Sequence, residues 1–223
     1  MGISLVRYLN KEAKATWGTL EGETVRPLSR QFATLAELLN ANQWEQEGAT
    51  IPGNGLEFLS PVTAPCQIIC QGKNYLDHII ETGVKPKNKD FNLLFTKADS
   101  SLNAPNAPVQ RPPQVKLLDY ELELGLVIKK PITQATTITP EMLPDYIAGF
   151  VMANDVSARD VQVPQRQWLK GKSFRTFCPV GPILYLPTRE EFSQLLNLEL
   201  HLTVNGETRQ KANTKQLMHQ PAE

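Results

Sequence analysis

Cysteine is scarce in this chain, and the cysteines present have no spacing that builds a disulfide or zinc framework. Among 223 residues there are three: Cys66 and Cys70 lie in one apolar run, and Cys178 lies far away. An odd number without a C-x-x-C pair argues against both a disulfide scaffold and a zinc site. We therefore expect buried thiols with a structural role.

Excess charge of one sign and long apolar runs are also missing. Lysine plus arginine and aspartate plus glutamate each number 23, so the formal net charge is zero and a nucleic-acid-binding surface is not expected. No apolar run reaches the roughly 18 residues of a membrane span, and the first residues lack the apolar stretch of a signal peptide. These absences predict a cytoplasmic protein that binds neither nucleic acid nor membranes.

Alternating apolar residues and turn signals predict a mainly β, α+β protein in two parts. Residues 1–60 read as a small N-terminal β-rich module with a hairpin, a third strand and a short helix. Residues 61–223 form the larger part, in which apolar strands are separated by proline-rich loops. The strands predicted there are 117–129, 146–154, 180–186 and 197–205, the last ending in an Asn-Gly hairpin turn.

The strand that begins at Leu118 carries three carboxylates on one face. Successive strand side chains point to opposite faces, so Asp119, Glu121 and Glu123 share a side and neighbours are roughly 7 Å apart at Cα. Such a strand either shows a charged face to water or directs its carboxylates to a hard cation. Asp155, at the end of a buried apolar run, could complete an oxygen cage with Glu121 and Glu123.

A histidine and a glutamate lie on one face of a predicted two-turn helix. His78 and Glu81 are three residues apart and can form a hydrogen bond. A carboxylate that holds an imidazole raises its basicity, which suits a general base that deprotonates water. The alternative is a surface histidine near a glutamate.

Two further segments carry charged residues that suit an anionic substrate. Arg159 and Gln162 are a helical turn apart and could together face a substrate carboxylate, unless Arg159 pairs with Asp160 or with a glutamate elsewhere. Lys172, beside an apolar strand, could stabilise an enolate or oxyanion. A P-loop is excluded, because its first glycine is absent and Arg166 stands there.

Taken together, these segments resemble the fumarylacetoacetate hydrolase family. They occur in the family's order and cover roughly residues 66 to 218. The matching pieces are Gly72-Lys73-Asn74-Tyr75 with His78 and Glu81, Phe95-Thr96-Lys97, Asp119-Tyr120-Glu121-Leu122-Glu123, Asn154-Asp155-Val156-Ser157-Ala158-Arg159-Asp160-Val161-Gln162, Gly171-Lys172-Ser173-Phe174 and Val204-Asn205-Gly206-Glu207.

The resemblance implies mixed β-sheets rolled around a central metal site, a homodimer, and a small-molecule 2-oxo or β-diketo acid as substrate. It implies Mg²⁺ or Mn²⁺ held by Glu121, Glu123 and Asp155. The other implied roles are His78, Glu81 and Lys172 in catalysis and Arg159, Gln162 and Lys97 in substrate binding.

The leading functional hypothesis is metal-dependent hydrolysis of a C–C bond in acylpyruvate or fumarylacetoacetate-type acids. Oxaloacetate decarboxylation and dienoate isomerisation or hydration are alternatives within the family, and a non-catalytic scaffold is an alternative outside enzymes. Two departures from the family pattern bear on this choice. Arg175 stands where relatives often have aspartate, and the chain ends at Glu223, before the family's Thr-Gly-Thr-Pro loop. We therefore expect a member that lacks the C-terminal part of the domain.

Overall fold

The structure is a computed structural model that describes residues 1–41, 44–75 and 92–223. Its strands are β1 (Ile3–Leu9), β2 (Ala15–Glu21), β3 (Thr24–Pro27), β4 (Ile51–Pro52), β5 (Phe58–Leu59), β6 (Ile68–Gln71), β7 (Leu94–Lys97), β8 (Leu102–Asn103), β9 (Leu118–Asp119), β10 (Leu122–Ile128), β11 (Ile147–Asn154), β12 (Ser157–Ala158), β13 (Cys178–Leu186), β14 (Glu199–Val204) and β15 (Glu207–Asn213).

Helices are short and few among the described residues. The α-helices are α1 (Leu35–Ala41), α2 (Leu143–Tyr146), α3 (Arg159–Gln165) and α4 (Trp168–Lys172). Turns of 3₁₀ helix cover Asp99–Ser101, Pro140–Met142, Glu191–Asn197 and Thr214–Gln216. No described helix is long and apolar enough to cross a membrane.

A nine-stranded sheet dominates the fold. Its main order is β10-β11-β13-β1-β2-β3-β4, with β5 paired to β1 and β8 paired to β13. All of its pairings are antiparallel except the short parallel contact of β8 with β13. The predicted α+β class with a strong β component is therefore confirmed.

The first strand of the chain joins the two predicted parts. In β1, Leu5 lies opposite Leu184 of β13, and on its other side it lies opposite Thr19 of β2. The proposed boundary near residue 60 stays a prediction, but strands from both sides of it share one sheet.

Apolar side chains from both parts also share one core. Leu5, Trp17 and Leu38 pack in the same cluster as Val151 and Leu184. The buried Trp17 indole is satisfied, since its Nε1 donates to the carbonyl oxygen of Phe32 at 3.0 Å. Burial of these side chains is the main favourable term holding the large sheet to α1.

Several predicted strand positions agree with the structure, and one differs. The Asn205-Gly206 turn joins β14 to β15 with positive φ at both residues, as a tight hairpin requires. The strand predicted over 117–129 is divided into β9 and β10. The division arises because a side chain takes the place of a backbone partner in the sheet. The Glu121 amide donates to the Asn154 side chain rather than to a backbone carbonyl.

We expect Leu184→Ala to lower the free energy of unfolding by about 2–5 kcal/mol, because it leaves a cavity in the core shared by both parts. Leu184 is 0% exposed. The measurement is urea unfolding followed by circular dichroism.

Leu196→Ala, at an exposed leucine, is the matched control and should change the free energy by less than about 0.5 kcal/mol. A loss for Leu184→Ala as small as the control's would contradict the shared core.

Candidate active site

Two interruptions between strands bring the acidic residues together. One separates β9 from β10 at residues 120–121, and the other separates β11 from β12 at residues 155–156. β9 pairs with β12, and β10 pairs with β11, so the chain on either side of Glu121 is held by different partners. Across the break, the Asp155 amide donates to the carbonyl oxygen of Glu121 at 2.8 Å. This bond places two of the three predicted metal ligands side by side.

Two buried lysines bind the carboxylate of Asp155. Lys97 Nζ donates to its Oδ1 and Lys172 Nζ to its Oδ2, both at 2.6 Å. Lys172 also donates to Oε2 of Glu121. Because Lys97, Lys172 and Asp155 are only 4%, 2% and 7% exposed, each charge must be paired to be stable there.

Arg159 joins the same network from α3. Its Nε donates to Asp119 Oδ2 at 2.8 Å, its Nη2 to Glu121 Oε1 at 2.8 Å and its Nη1 to Gln162 Oε1 at 3.0 Å. Arg159 and Gln162 are thus in contact, as their spacing predicts. Of the alternative pairings, the structure has the one with a glutamate elsewhere, Glu121. The Asp160 carboxylate instead accepts from the Lys116 amide.

A close approach of two helices places Lys172. A Cβ built on Gly171 would lie 2.8 Å from the backbone nitrogen of Gln162, so α4 packs directly against α3 only because this residue is glycine. The Phe95 ring lies on the other side, with its centroid 5.1 Å from Lys172 Nζ.

The carboxylates carry unequal proton affinities. Although burial alone favours the neutral form, the charges of Lys172 and Arg159 hold the pKa of Glu121 at about 2. Burial, with repulsion from Glu121 and Asp155, raises the pKa of Glu123 to about 8. Lys97, Lys172 and Arg159 pair with Asp119, Glu121 and Asp155. The Glu123 carboxylate, in contrast, has no hydrogen bond or ion pair with a described residue.

The chemistry of this donor set fits a hard divalent cation. Glu121, Glu123 and Asp155 offer only carboxylate oxygens, and the mutual repulsion that raises the Glu123 pKa is the kind that a bound cation offsets. As they stand, the oxygens of Glu121 and Asp155 face Lys97, Lys172 and Arg159. Accordingly, no group of three or more His, Cys, Asp or Glu side chains in the described part of the chain is already arranged around a metal position.

The network lies in a cleft of about 1630 Å³. Glu121, Glu123, Asp155 and Lys172 line it, and Tyr75 lies on its wall. Burial, with a smaller effect of Glu123, raises the pKa of the Tyr75 phenol above its usual range. The cleft thus combines acidic and basic groups in a partly enclosed space, as small-molecule sites do.

The three cysteines also line this cleft. They are free thiols, Cys178 buried and Cys66 and Cys70 half-buried. Burial raises the pKa of Cys70 to about 12 and that of Cys178 to about 11, so these thiols stay protonated near neutral pH.

Of the residues predicted from sequence, Lys97, Glu121, Glu123, Asp155, Arg159, Gln162 and Lys172 all line this one cleft. His78 and Glu81 lie outside the described residues.

Sequence reasoning missed three side chains that support the network. The Ser157 hydroxyl donates to Glu121 Oε2 at 3.2 Å, and the Asn154 side chain accepts from the Glu121 amide at 3.1 Å. Gln210 binds the backbone of Leu122. Asn154 and Ser157 flank Asp155 and could have been proposed on position alone, whereas Gln210 lies in a distant strand and carries no local signal.

Comparison with protein families agrees with this geometry. The model described as the C-terminal domain of fumarylacetoacetate (FAA) hydrolase matches residues 67–223. The match covers more than half of the chain, and the chain therefore belongs to the fumarylacetoacetate hydrolase family.

Individual relatives carry the names of enzymes. Oxaloacetate tautomerase Fahd2a, mitochondrial, of Rattus norvegicus is 42% identical over 170 residues, which are 75% of this chain and 52% of the relative. The chain thus spans about half the length of the curated relatives it matches.

Solved structures extend the likeness to nearly the whole chain. Fumarylacetoacetate hydrolase from Exiguobacterium antarcticum superposes with a TM-score of 0.82 at 30% identity, over 99% of this chain and 78% of that one. The 2-hydroxyhepta-2,4-diene-1,7-dioate isomerase from Mycobacterium marinum gives a TM-score of 0.78 at 27% identity, over 99% of this chain and 78% of that one. The family fold predicted from the sequence is confirmed.

We expect Asp155→Asn to destabilise the protein by about 3–5 kcal/mol, because it removes a shared partner of two buried ammonium groups. Chemical denaturation at neutral pH measures the change. Asp145→Asn is the matched control, since Asp145 pairs with Arg189 on the surface with both side chains more than half exposed.

The control should cost no more than about 1 kcal/mol. Equal stability of the two variants would mean that Asp155 does not hold the lysines.

Proposed function

We propose that this protein is a divalent-metal-dependent enzyme that moves a proton between carbon and oxygen in a short 2-oxo acid, with keto–enol tautomerisation of oxaloacetate as the reaction favoured. One observation carries the proposal: the buried Lys172 ammonium lies between Glu121 and Asp155 in the cleft. The name of the rat relative supports the substrate class.

A cation would complete this site. Mg²⁺ or Mn²⁺ bound by Glu121, Glu123 and Asp155 would supply Lewis-acid polarisation of the substrate's carbonyl oxygen. Lys172 would then donate a hydrogen bond to the oxygen on which negative charge develops, inside a cleft where such a bond is stronger than in water.

Arg159 suits the substrate's carboxylate. Its guanidinium has five N–H donors, and its contacts to Asp119, Glu121 and Gln162 occupy at most four of them. The remaining donor is available for a hydrogen bond to the carboxylate of an anionic substrate.

His78, oriented by Glu81, is proposed as the base. In tautomerisation it takes the proton from the carbon next to the carbonyl, and a proton returns to the carbonyl oxygen, so keto and enol forms interconvert without loss of atoms. In hydrolysis the same imidazole would take a proton from water instead.

Hydrolysis of a C–C bond in acylpyruvate-type acids is the second candidate. It is favoured by the likeness to the Exiguobacterium antarcticum hydrolase over 99% of the chain. Decarboxylation of oxaloacetate and isomerisation of dienoates need the same stabilised enolate, and the Mycobacterium marinum isomerase supports the latter.

A homodimer and a cytoplasmic location remain proposals. The rat relative's name places that protein in mitochondria.

We expect Lys172→Met to lower kcat for oxaloacetate tautomerisation by about 10²–10³-fold, because it removes the donor to the developing oxyanion. The assay follows enol absorbance in the presence of Mg²⁺, with acetylpyruvate cleavage and pyruvate release measured in parallel. Lys170→Met is the control on the same helix, since Lys170 is exposed, and it should leave the rate unchanged.

The parallel assays separate the candidates. Faster cleavage of acetylpyruvate than tautomerisation, abolished by His78→Ala, would favour the hydrolase. Absence of every turnover with Mg²⁺ and Mn²⁺ would refute the catalytic proposal and leave a scaffold.

We expect Glu123→Gln to raise the stability of the metal-free protein near pH 7 by about 1 kcal/mol, which is roughly 2–4 °C in Tm. Folding raises the pKa of this carboxyl, mainly through burial, and so costs stability at pH values above the unfolded-state pKa. The same change should abolish the rise in Tm that Mn²⁺ produces in the wild type. Thermal unfolding with EDTA and with Mn²⁺ measures both effects.

Glu199→Gln, at an exposed strand residue, should keep the Mn²⁺ response. If Glu123→Gln kept it as well, Glu123 would not be a ligand.

A further inference from the structure

Gln210 binds the backbone of Leu122 with both ends of its side-chain amide. Its Oε1 accepts from the Leu122 amide at 2.8 Å, and its Nε2 donates to the Leu122 carbonyl at 2.7 Å. The two residues are 88 positions apart, so this contact joins the β14–β15 hairpin to β10.

The place of this contact matters, because Leu122 stands between Glu121 and Glu123 and begins β10. In the described sheet, β10 is the edge strand and pairs on one side only, with β11. An edge strand leaves backbone groups without ladder partners. The Gln210 amide takes the place of such a partner at one residue, the residue flanked by the two acidic side chains.

The other side of the same segment is held by the chain around Asp155. The Glu121 amide donates to Asn154 Oδ1 at 3.1 Å, and the Glu121 carbonyl accepts from the Asp155 amide at 2.8 Å. Gln210 therefore supplies the second of two supports, and the backbone that carries both carboxylates is fixed from opposite directions.

We propose that Gln210 is a positioning residue that sets the direction of the Glu121 and Glu123 carboxylates for a divalent cation, an inference that rests on the proposed function. Both ends of its side-chain amide are bound to the Leu122 backbone, so the proposed effect on the carboxylates passes through that backbone. Loss of such a support in metal sites costs about 10–100-fold in affinity or activity.

The test replaces Gln210 by a residue of similar shape that forms no hydrogen bond. Gln210→Met should raise the Kd for Mn²⁺, measured by calorimetry on the full chain, by about 10–100-fold. It should lower kcat at saturating Mn²⁺ more than it changes KM, because the substrate contacts are untouched. Hydrogen exchange of the Leu122 amide should become faster in the metal-free protein.

Thr208→Val is the matched control. Thr208 lies in the same strand, and its hydroxyl contacts His201 at 2.9 Å on the exposed face, so the change also removes one polar group from β15. It should leave the Mn²⁺ affinity, kcat and Leu122 exchange unchanged.

The outcomes separate this inference from the proposed function. Wild-type protein that binds no Mn²⁺ refutes the proposed function, and the inference falls with it. Wild-type protein that binds Mn²⁺ while Gln210→Met binds it as tightly leaves the function standing and overturns the positioning role. Faster Leu122 exchange with an unchanged Kd for Mn²⁺ overturns it too. The hydrogen bonds from Gln210 would then hold the Leu122 backbone without affecting how the carboxylates bind the metal.

Discussion

The ion network around Asp155 is the interaction on which the rest of the site depends. A buried carboxylate is stable only when its charge is compensated, and Asp155 meets this condition with Lys97 and Lys172. These partners come from β7 and α4, so the two elements are held at a set distance from the end of β11. Arg159 extends the network to Glu121. The network leaves Glu123 without a cation, and burial together with repulsion from Glu121 and Asp155 raises the pKa of this carboxyl to about 8.

The large sheet gives this network its rigid support. β11 is paired on both sides, by β10 and β13, and it ends where Asp155 begins. β13 in turn pairs with β1, so the N-terminal strands buttress the strand that carries the site. The break between β9 and β10 then turns Glu121 toward Asp155. On either side of this break the chain has different partners, β12 before Glu121 and β11 after it.

Much of the site was accessible from the sequence, and the reasons differ by residue. Glu121 and Glu123 follow from strand alternation, and Arg159 with Gln162 from helical spacing, because both depend only on local periodicity. Lys97 entered through family resemblance alone. Asn154, Ser157 and Gln210 escaped, since a side chain that binds a backbone group or a carboxylate leaves no periodic trace. The prediction of one strand over 117–129 failed for the same reason: the Asn154 side chain competes with the ladder at Glu121.

By itself, the sequence determined the α+β class, the hairpin at Asn205-Gly206, the family and most of the acidic and basic residues of the site, because these depend on composition, short-range pattern and order along the chain. Only the tertiary structure decided which charges meet. Lys97 and Asp155 are 58 positions apart, and Gln210 and Leu122 are 88 apart. Such pairs form because the folded sheet brings the strands together and because a buried charge or polar group is costly when it has no partner.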